Sequence, residues 1–299
     1  MGKELADRYA VARDVFAEAD GALGYPLSQL CFDGPEDKLK LTEITQPAIL
    51  TVSIAAQRVL AENGVQPQFV AGHSLGEYSA HVAASTVSFA HAVRTVAKRG
   101  RYMQEAVPVG TGAMAAILAF DLSNTEEVCR EAQQETGGIV SPANINSPDQ
   151  IVISGSKAAV ERAAELAKAK GAKRAVMLQV SAPFHCSLMQ PAQDRLADDL
   201  YALKFATPQV PVVTNVDAEL VQDGQKARDA LIRQVTGAVR WVRCIEALIA
   251  AGVQTFVEVG PGKVLTGLLR QIDRYKTGLN VENEDSLQKT LASLPTHPH

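Results

Sequence analysis

A short apolar run, a glycine-flanked turn and a helix of small residues follow one another near residue 70. The run FVA (69–71) predicts a buried strand, and GHSLG (72–76) leads from it into the helix. A strand, a tight turn and a helix in this order are typical of α/β folds. The G-x-S-x-G pattern at such a turn indicates a nucleophile elbow, which exposes its serine at a helix N-terminus. Ser74 is therefore a candidate nucleophile, and the alternative is an ordinary turn serine.

Residues 112–180 follow a different pattern, which predicts a small unit within the larger one. We expect strands at 113–120, 139–144, 150–154 and 173–180, with helices at 123–134 and 157–170. Ser123 and Glu126 form the capping box that would begin the first of these helices. The resulting β-α-β-β-α-β order is that of the ferredoxin-like split motif. The predicted fold is thus α/β, with a hydrolase-like core of mostly parallel sheet at 1–111 and 181–299 and a ferredoxin-like insert at 112–180.

Periodicity predicts the remaining elements of the core. We expect helices at 3–19, at 46–63 with Pro47 in the first turn, and at 189–203, 225–235 and 242–251. Strands are expected at 210–215 and 254–259, the second ending in GPG (260–262). The pattern contains no internal repeat.

Charge and cysteine usage exclude several classes of protein. Lys and Arg number 29 and Asp and Glu 33, so a net charge of −4 gives no overall reason to bind nucleic acid or an anionic membrane. The first residues are charged and no apolar run reaches the ~20 residues of a membrane helix, so we expect neither a signal peptide nor a membrane span. Four scattered cysteines predict no disulfide and no zinc site, which favours the cytoplasm. We predict no metal and no cofactor, and we expect His297 and His299 to lie in a disordered tail.

A serine nucleophile needs a base, and the histidines of the chain can be compared for that role. His73 is the chain neighbour of Ser74, and His81 and His91 lie further along this helix and on the next one. None of the three can easily turn back to the elbow, which leaves His185 as the candidate. Cys186 beside it is an alternative nucleophile, disfavoured because no elbow presents it. More than a hundred residues follow His185, so the order of a simple α/β-hydrolase esterase is disfavoured as well.

An arginine falls on an apolar stripe of the helix that follows Ser88. Phe89, Val93, Val96 and Met103 form the stripe and Arg99 shares it, whereas its charged neighbours point outward. A buried guanidinium requires an anionic partner. That partner is either a protein Asp or Glu or a substrate carboxylate held by bidentate hydrogen bonds.

Several stretches, in the same order along nearly the whole chain, resemble the malonyl-CoA:acyl carrier protein transacylases of bacterial fatty acid synthesis. They are GHSLGEYSA (72–80), RGRYMQEAVP (99–108), SPANINSPDQIVISG (141–155), SAPFHCSLMQPA (181–192), QVTGAVRW (234–241) and VEVGPGKVLTGL (257–268). This family has the fold predicted above from the residues alone. The resemblance implies ping-pong transfer of a malonyl group from malonyl-CoA to the phosphopantetheine thiol of holo-acyl carrier protein.

The resemblance also implies roles for individual residues. Ser74 would attack the thioester, with His185 as base and the main-chain carbonyl of Gln234 orienting the histidine. The backbone N–H of Leu75 would be one oxyanion donor, and Arg99 would bind the malonyl carboxylate.

Three further residues match the family near its site. Phe184 is similar to the malonyl rather than the methylmalonyl version of the histidine motif. Asn146 and Asn144 match asparagines near the site, although packing or turn roles fit them equally.

One departure from the family concerns the start of the chain. The family opens with a strand and a Gly-Gln-Gly turn whose glutamine N–H is the second oxyanion donor, whereas this sequence begins at Met1-Gly2-Lys3, on the first expected helix. We therefore expect a half-built oxyanion hole and weak activity from the sequence as it stands. Two alternatives to acyl transfer stay open. One is a serine hydrolase or thioesterase with the same dyad, and the other is a non-catalytic module that holds carrier protein or acyl-CoA after losing its oxyanion hole.

Overall fold

A computed structural model describes residues 1–294, so His297 and His299 lie outside the described residues. The helices are α1 (Lys3–Arg8), α2 (Ala10–Leu23), α3 (Leu27–Asp33), α4 (Glu36–Leu39), α5 (Thr42–Glu62), α6 (Gly76–Ala83), α7 (Phe89–Glu105), α8 (Leu122–Thr136), α9 (Lys157–Ala169), α10 (Gln190–Tyr201), α11 (Gly224–Gln234), α12 (Trp241–Ala250), α13 (Val264–Ile272) and α14 (Glu284–Ser293). The strands are β1 (Val70–Ala71), β2 (Gly112–Leu118), β3 (Val140–Ser147), β4 (Gln150–Ser156), β5 (Arg174–Met177), β6 (Val212–Val213), β7 (Leu220–Val221), β8 (Thr255–Val259) and β9 (Thr277–Val281).

The helix expected over 3–19 is wrong in one respect, because the structure divides it into α1 and α2 at Tyr9. Tyr9 is extended, with φ −114° and ψ 123°. The Arg13 guanidinium donates to the carbonyl oxygens of Ala6 and Asp7 at 3.0 and 3.2 Å. These bonds satisfy acceptors at the end of α1 that a continuous helix would pair with its own N–H groups. The apolar positions on both sides of the break are buried, so the pattern did not reveal it.

The helix α5 begins four residues earlier than the sequence predicted, and Pro47 lies in its second turn rather than its first. The missing N–H of Pro47 costs the helix one backbone bond, and Thr51 Oγ1 donates to the Pro47 carbonyl at 2.7 Å. Helix α7 crosses α5 closely at Gly100, where an added Cβ would lie 2.5 Å from the Thr42 carbonyl oxygen. This close approach brings Arg99, the residue before Gly100, against the first turns of α5.

Short strands of the core form a three-stranded sheet, β1-β6-β7, and a two-stranded sheet, β8-β9, and the predicted α/β fold is confirmed. β1 pairs with β6 in parallel, β6 pairs with β7 antiparallel, and β8 pairs with β9 in parallel. Two of the three core pairings are thus parallel. The expected strands at 210–215 and 254–259 are β6 and β8, whereas β7 and β9 were not predicted.

The segment between β2 and β5 forms a four-stranded antiparallel sheet in the order β3-β4-β2-β5, with α8 and α9 in its connections. Side chains of both helices pack on one face of this sheet, among them Val128 of α8 and Ala163 of α9, which share a cluster with Ile153 of β4. The chain order and the strand order are those of the expected ferredoxin-like motif. The expected capping box is wrong, because α8 begins at Leu122 and Asp121 Oδ1 accepts from the Asn124 N–H at 2.8 Å. An aspartate before Ser123 is available as N-cap, so the serine lies inside the first turn.

Strand β3 attaches this unit to the core. The Ile145 N–H donates to the Val239 carbonyl at 2.9 Å, and the Val239 N–H donates to the Ala143 carbonyl at 2.8 Å. β3 also continues through Asn146 and Ser147, which the sequence had placed in a turn. We propose 112–180 as the bounds of the insert, with 1–111 and 181–299 forming the core.

Residues 1–294 have neither of two features that would indicate a membrane protein or a metalloprotein. None of their helices is both long and apolar enough to cross a membrane. Nor do these residues bring together three His, Cys, Asp or Glu side chains that could hold a metal ion. The four cysteines, Cys31, Cys129, Cys186 and Cys244, are buried and free.

Candidate active site

A sharp turn between β1 and α6 presents Ser74. Its backbone is left-handed, with φ 51°, which is strained for a residue other than glycine. Gly72 makes the turn possible, since an added Cβ would lie 1.9 Å from the Gly76 carbonyl oxygen. Gly76 itself has open space around its Cβ direction, so the close approach depends on Gly72. The local structure is the strand, turn and helix that the sequence predicted.

His185 meets the hydroxyl of this serine. Ser74 Oγ lies 2.7 Å from His185 Nε2, and His185 Nδ1 lies 2.9 Å from the main-chain oxygen of Gln234. A carbonyl only accepts, so Nδ1 carries the ring proton and Nε2 is the acceptor. The Ser74 hydroxyl therefore donates to an imidazole whose tautomer Gln234 fixes.

The protonation state of His185 follows from its burial. Burial, followed by the charge of Arg99, lowers the pKa of His185 to about 3, so the imidazole is neutral near pH 7. The backbone of His185 is also left-handed, with φ 58°. A neutral imidazole against a serine hydroxyl is the arrangement of nucleophilic acyl transfer.

The alternatives to Ser74 and His185 lie elsewhere. Cys186 Sγ donates to the Pro183 carbonyl at 3.2 Å, and burial raises the pKa of its thiol. His73 Nε2 bonds Asn146 Oδ1 at 2.8 Å. His81 is fully buried, and His91 is exposed on α7. None of these side chains makes a hydrogen bond to Ser74 within the described part of the chain.

Arg99 lies on the buried face of α7 and reaches the same hydroxyl. It is 2% exposed, and its Nη2 donates to Ser74 Oγ at 3.1 Å and to Gln234 Oε1 at 3.0 Å. Nη1 donates to Gln46 Oε1 at 2.8 Å, while the buried Nε has no partner among residues 1–294. Every acceptor that the described residues offer it is neutral, so none of their carboxylates bonds the guanidinium. The Nε–H is thus the donor of this guanidinium that stays open to a further, anionic acceptor.

Three polar residues that sequence reasoning missed complete the site. Gln46 on α5, Glu77 on α6 and Asn215 after β6 are each less than 9% exposed. Asn215 Oδ1 accepts from the Ser74 N–H at 2.6 Å, and its Nδ2 donates to the Gly72 carbonyl at 2.8 Å. Only Glu77 had a signal in the sequence, because it lies one turn after the nucleophile.

The other predicted residues surround this centre. The N–H of Leu75, at the start of α6, makes no hydrogen bond within the described residues. Phe184 is half-buried and contacts apolar clusters of both the core and the insert. Asn146 bonds His73, and Asn144 makes an isolated bridge to Val239. The structure thus brings Ser74, His185, Gln234 and Arg99 into direct contact, while the two asparagines bond other groups.

Comparison with known proteins gives the family. The acyl transferase domain model matches residues 1–289. The malonyl CoA-acyl carrier protein transacylase of Escherichia coli K12 is 52% identical over 273 residues, covering 91% of this chain and 88% of that protein. The enzyme of the same description from Bacillus subtilis 168 is 47% identical over 294 residues, 98% and 92% of the two chains.

Solved structures agree with these relatives. An acyl carrier protein S-malonyltransferase from Vibrio cholerae superposes with a TM-score of 0.94 at 49% identity, covering 97% of this chain and 94% of that one. A malonyl-transacylase in complex with a type II PKS acyl-carrier protein superposes with a TM-score of 0.95 at 47% identity, covering 98% and 95%. The resemblance drawn from the sequence motifs is confirmed. The chain therefore belongs to the acyl transferase family, within the group of malonyl CoA-acyl carrier protein transacylases.

Proposed function

We propose that the protein transfers a malonyl group from malonyl-CoA to the phosphopantetheine thiol of acyl carrier protein through a seryl acyl-enzyme. The observation that carries this proposal is that Ser74 Oγ lies 2.7 Å from the His185 base and 3.1 Å from the Arg99 guanidinium. A malonyl thioester has an electrophilic carbonyl and, two bonds away, a carboxylate. The nucleophile and the cation stand close enough together to engage both groups of one small substrate.

The first half-reaction acylates the serine. Ser74 Oγ attacks the thioester carbonyl as His185 Nε2 takes its proton, and the Gln234 carbonyl stabilises the imidazolium through Nδ1–H. The free N–H of Leu75 donates to the oxyanion of the tetrahedral intermediate. The carbon–sulfur bond then breaks, His185 returns the proton to the CoA sulfur, and malonyl-Ser74 remains.

The second half-reaction repeats these steps with the carrier thiol. His185 takes the proton of the phosphopantetheine thiol, whose sulfur attacks the malonyl ester. The ester bond to Ser74 breaks, and the proton passes from His185 to Ser74 Oγ. The names of two relatives and the carrier-bound malonyl-transacylase support acyl carrier protein as the acceptor.

Arg99 sets the choice of acyl group in this proposal. A carboxylate bound bidentately by the Nε and Nη2 edge would take up the unpartnered Nε–H and would replace Ser74 Oγ as acceptor of one Nη2–H. Phe184 limits the space beside His185. Asn146 lies on β3 of the insert and bonds His73, the neighbour of Ser74, so it contributes to the side of the site that the insert forms. We also propose a cytoplasmic location, because four free, buried cysteines fit a reducing compartment.

The experiment that tests the proposal uses malonyl-CoA with and without holo-acyl carrier protein. Transfer predicts carrier protein heavier by one malonyl group and CoA release accelerated by the carrier. A hydrolase or thioesterase would instead release malonate at a rate independent of the carrier thiol. A binding module would bind the carrier protein and form no acyl-enzyme, so either result would refute the proposal.

A further inference from the structure

A buried carboxyl lies beneath the turn that carries the nucleophile. Glu77, on the first turn of α6, is fully buried, and its Oε2 accepts from the Asn215 N–H at 3.0 Å and from Gln234 Nε2 at 2.7 Å. Neither donor is a cation. Buried carboxyls without an ion-pair partner are costly, so the position calls for an explanation.

Both donors to Glu77 also hold the backbone of Ser74. Asn215 Oδ1 accepts from the Ser74 N–H at 2.6 Å, and Gln234 Nε2 donates to the Ser74 carbonyl at 2.9 Å. The left-handed backbone of Ser74 is strained, and such a conformation persists only where its surroundings over-determine it. The two amide side chains supply that determination, and Glu77 fixes one group of each residue.

Gln234 extends the same network to the base and the cation. Its main-chain oxygen accepts from His185 Nδ1–H at 2.9 Å, and its side-chain oxygen accepts from Arg99 Nη2 at 3.0 Å. A single carboxyl oxygen of Glu77 is therefore linked to Ser74, His185 and Arg99 through one intervening residue, Gln234. We propose that Glu77 is a positioning residue for acyl transfer, which acts as a hydrogen-bond acceptor through Asn215 and Gln234; this inference rests on the proposed function.

The surroundings of Glu77 favour a role as hydrogen-bond acceptor over a role for its negative charge. Its second oxygen, Oε1, makes no hydrogen bond in the described structure and lies 3.9 Å from His81 Nε2. Burial lowers the pKa of His81 to about 4, so that ring is neutral. Burial also raises the pKa of Glu77 to about 7, although Gln234 and Arg99 oppose the shift. A proton on Oε1 leaves Oε2 free to accept both bonds, and a glutamine amide oxygen can take its place.

Three substitutions of Glu77 distinguish its role as hydrogen-bond acceptor from its negative charge and from the space that its side chain fills. Glu77→Gln keeps an acceptor at full reach without the charge. Glu77→Asp keeps the charge but withdraws the acceptor by about one methylene, and Glu77→Met fills the space with neither. Misplacement by about 1 Å costs on the order of 10²-fold in rate. We expect Glu77→Gln to retain at least a third of the acylation rate, Glu77→Asp to lose ~10-fold, and Glu77→Met to lose ~100-fold with KM changed less than about threefold.

A matched control distinguishes positioning from general loss of stability. Glu258 on β8 also accepts backbone N–H groups, from Leu265 at 3.0 Å and Thr266 at 2.7 Å, but it makes no hydrogen bond to the site described above. Glu258→Met is expected to lower the melting temperature while keeping the acylation rate of the folded protein. Each variant is followed by stopped-flow acylation with malonyl-CoA, by thermal unfolding, and by labelling of Ser74 with a fluorophosphonate.

The outcomes distinguish the inference from the proposed function. If malonyl-CoA fails to acylate the wild-type chain, the proposed function is wrong, and the order of fluorophosphonate labelling across the variants still tests Glu77. A Glu77→Asp variant as fast as or faster than Glu77→Gln would assign the role to charge and overturn the inference. Acylation of folded Glu77→Met within threefold of wild type would overturn it too. If Glu77→Met does not fold, the comparison of the glutamine and aspartate variants decides.

Discussion

Removing the Arg99 guanidinium is expected to change which acyl group the protein accepts. In the structure the side chain is 2% exposed and bonds only neutral acceptors, on Gln46, Gln234 and Ser74. Its Nε has no partner in the described residues, so the charge is available to a substrate carboxylate. Arg99→Ala removes that interaction for malonyl-CoA. Acetyl-CoA has no carboxylate, so it never makes the interaction and loses nothing when the arginine is removed.

The size of the effect follows from the kind of bond. A hydrogen bond to a charged group contributes about 1.5–3 kcal/mol, which is roughly a tenfold to hundredfold change in rate. We expect Arg99→Ala to lower kcat/KM for malonyl-CoA by that factor and to leave acetyl transfer unchanged or raised. Arg99→Lys keeps the charge without the planar fork, and its activity with malonyl-CoA should lie between those of the wild type and Arg99→Ala.

The assay measures single-turnover acylation with malonyl-CoA and acetyl-CoA, with thermal unfolding of each variant in parallel. Arg99 also donates to Gln46 and Gln234, so some loss of stability is expected in the alanine variant. The decisive quantity is the ratio of the two acylation rates, because a loss of stability affects both substrates alike. Equal loss with malonyl-CoA and acetyl-CoA would refute the reasoning and make Arg99 a structural residue.

Three further predictions concern the base, the turn and the pH dependence of stability. His185→Ala should slow acylation by roughly 10²–10⁴-fold, the usual range for a general base, and loss below tenfold in a stopped-flow assay would contradict its role. Gly72→Ala should cost about 3 kcal/mol of unfolding free energy or prevent folding, because the added Cβ would lie 1.9 Å from a carbonyl oxygen, whereas Gly76→Ala meets no atom within 4 Å and should be tolerated in the same urea titration. The lowered pKa of His81, about 4, means that the unfolded chain binds more protons below pH 6.5, so stability present above pH 6.5 is lost as the pH falls towards 4. Urea titrations at pH 7 and pH 5 should therefore show a smaller loss in His81→Leu than in wild type, by up to ~2 kcal/mol, and an equal loss would count against a neutral buried His81.

Much of the fold could be predicted from the sequence because its signals are local. The insert was predicted from four apolar runs and two amphipathic helices, and its sheet has the expected chain order. The exceptions involve contacts that hydrophobic periodicity does not show. At the break beside Tyr9 the Arg13 side chain bonds the carbonyl of Ala6, and β7 is a two-residue strand that exists through its pairing with β6.

The candidate site divides in the same way. Ser74 was found from a local pattern, and Arg99 from the helical spacing of α7. The position of Gln234 came from resemblance alone, since nothing in its own segment marks a carbonyl that holds a histidine. Gln46 and Asn215 lack any local signal, because their roles come from neighbours far apart in the chain. A glutamate at the first turn of a helix ordinarily suggests a solvated charge, so the burial of Glu77 could not be predicted.

The most direct test of the central claim is intact-mass analysis of the protein after mixing with malonyl-CoA. The account predicts one added malonyl group on the wild-type chain, lost again when holo-acyl carrier protein is added, and no adduct on Ser74→Ala. An adduct that persists on Ser74→Ala, for example one mapped to Cys186, would contradict the account.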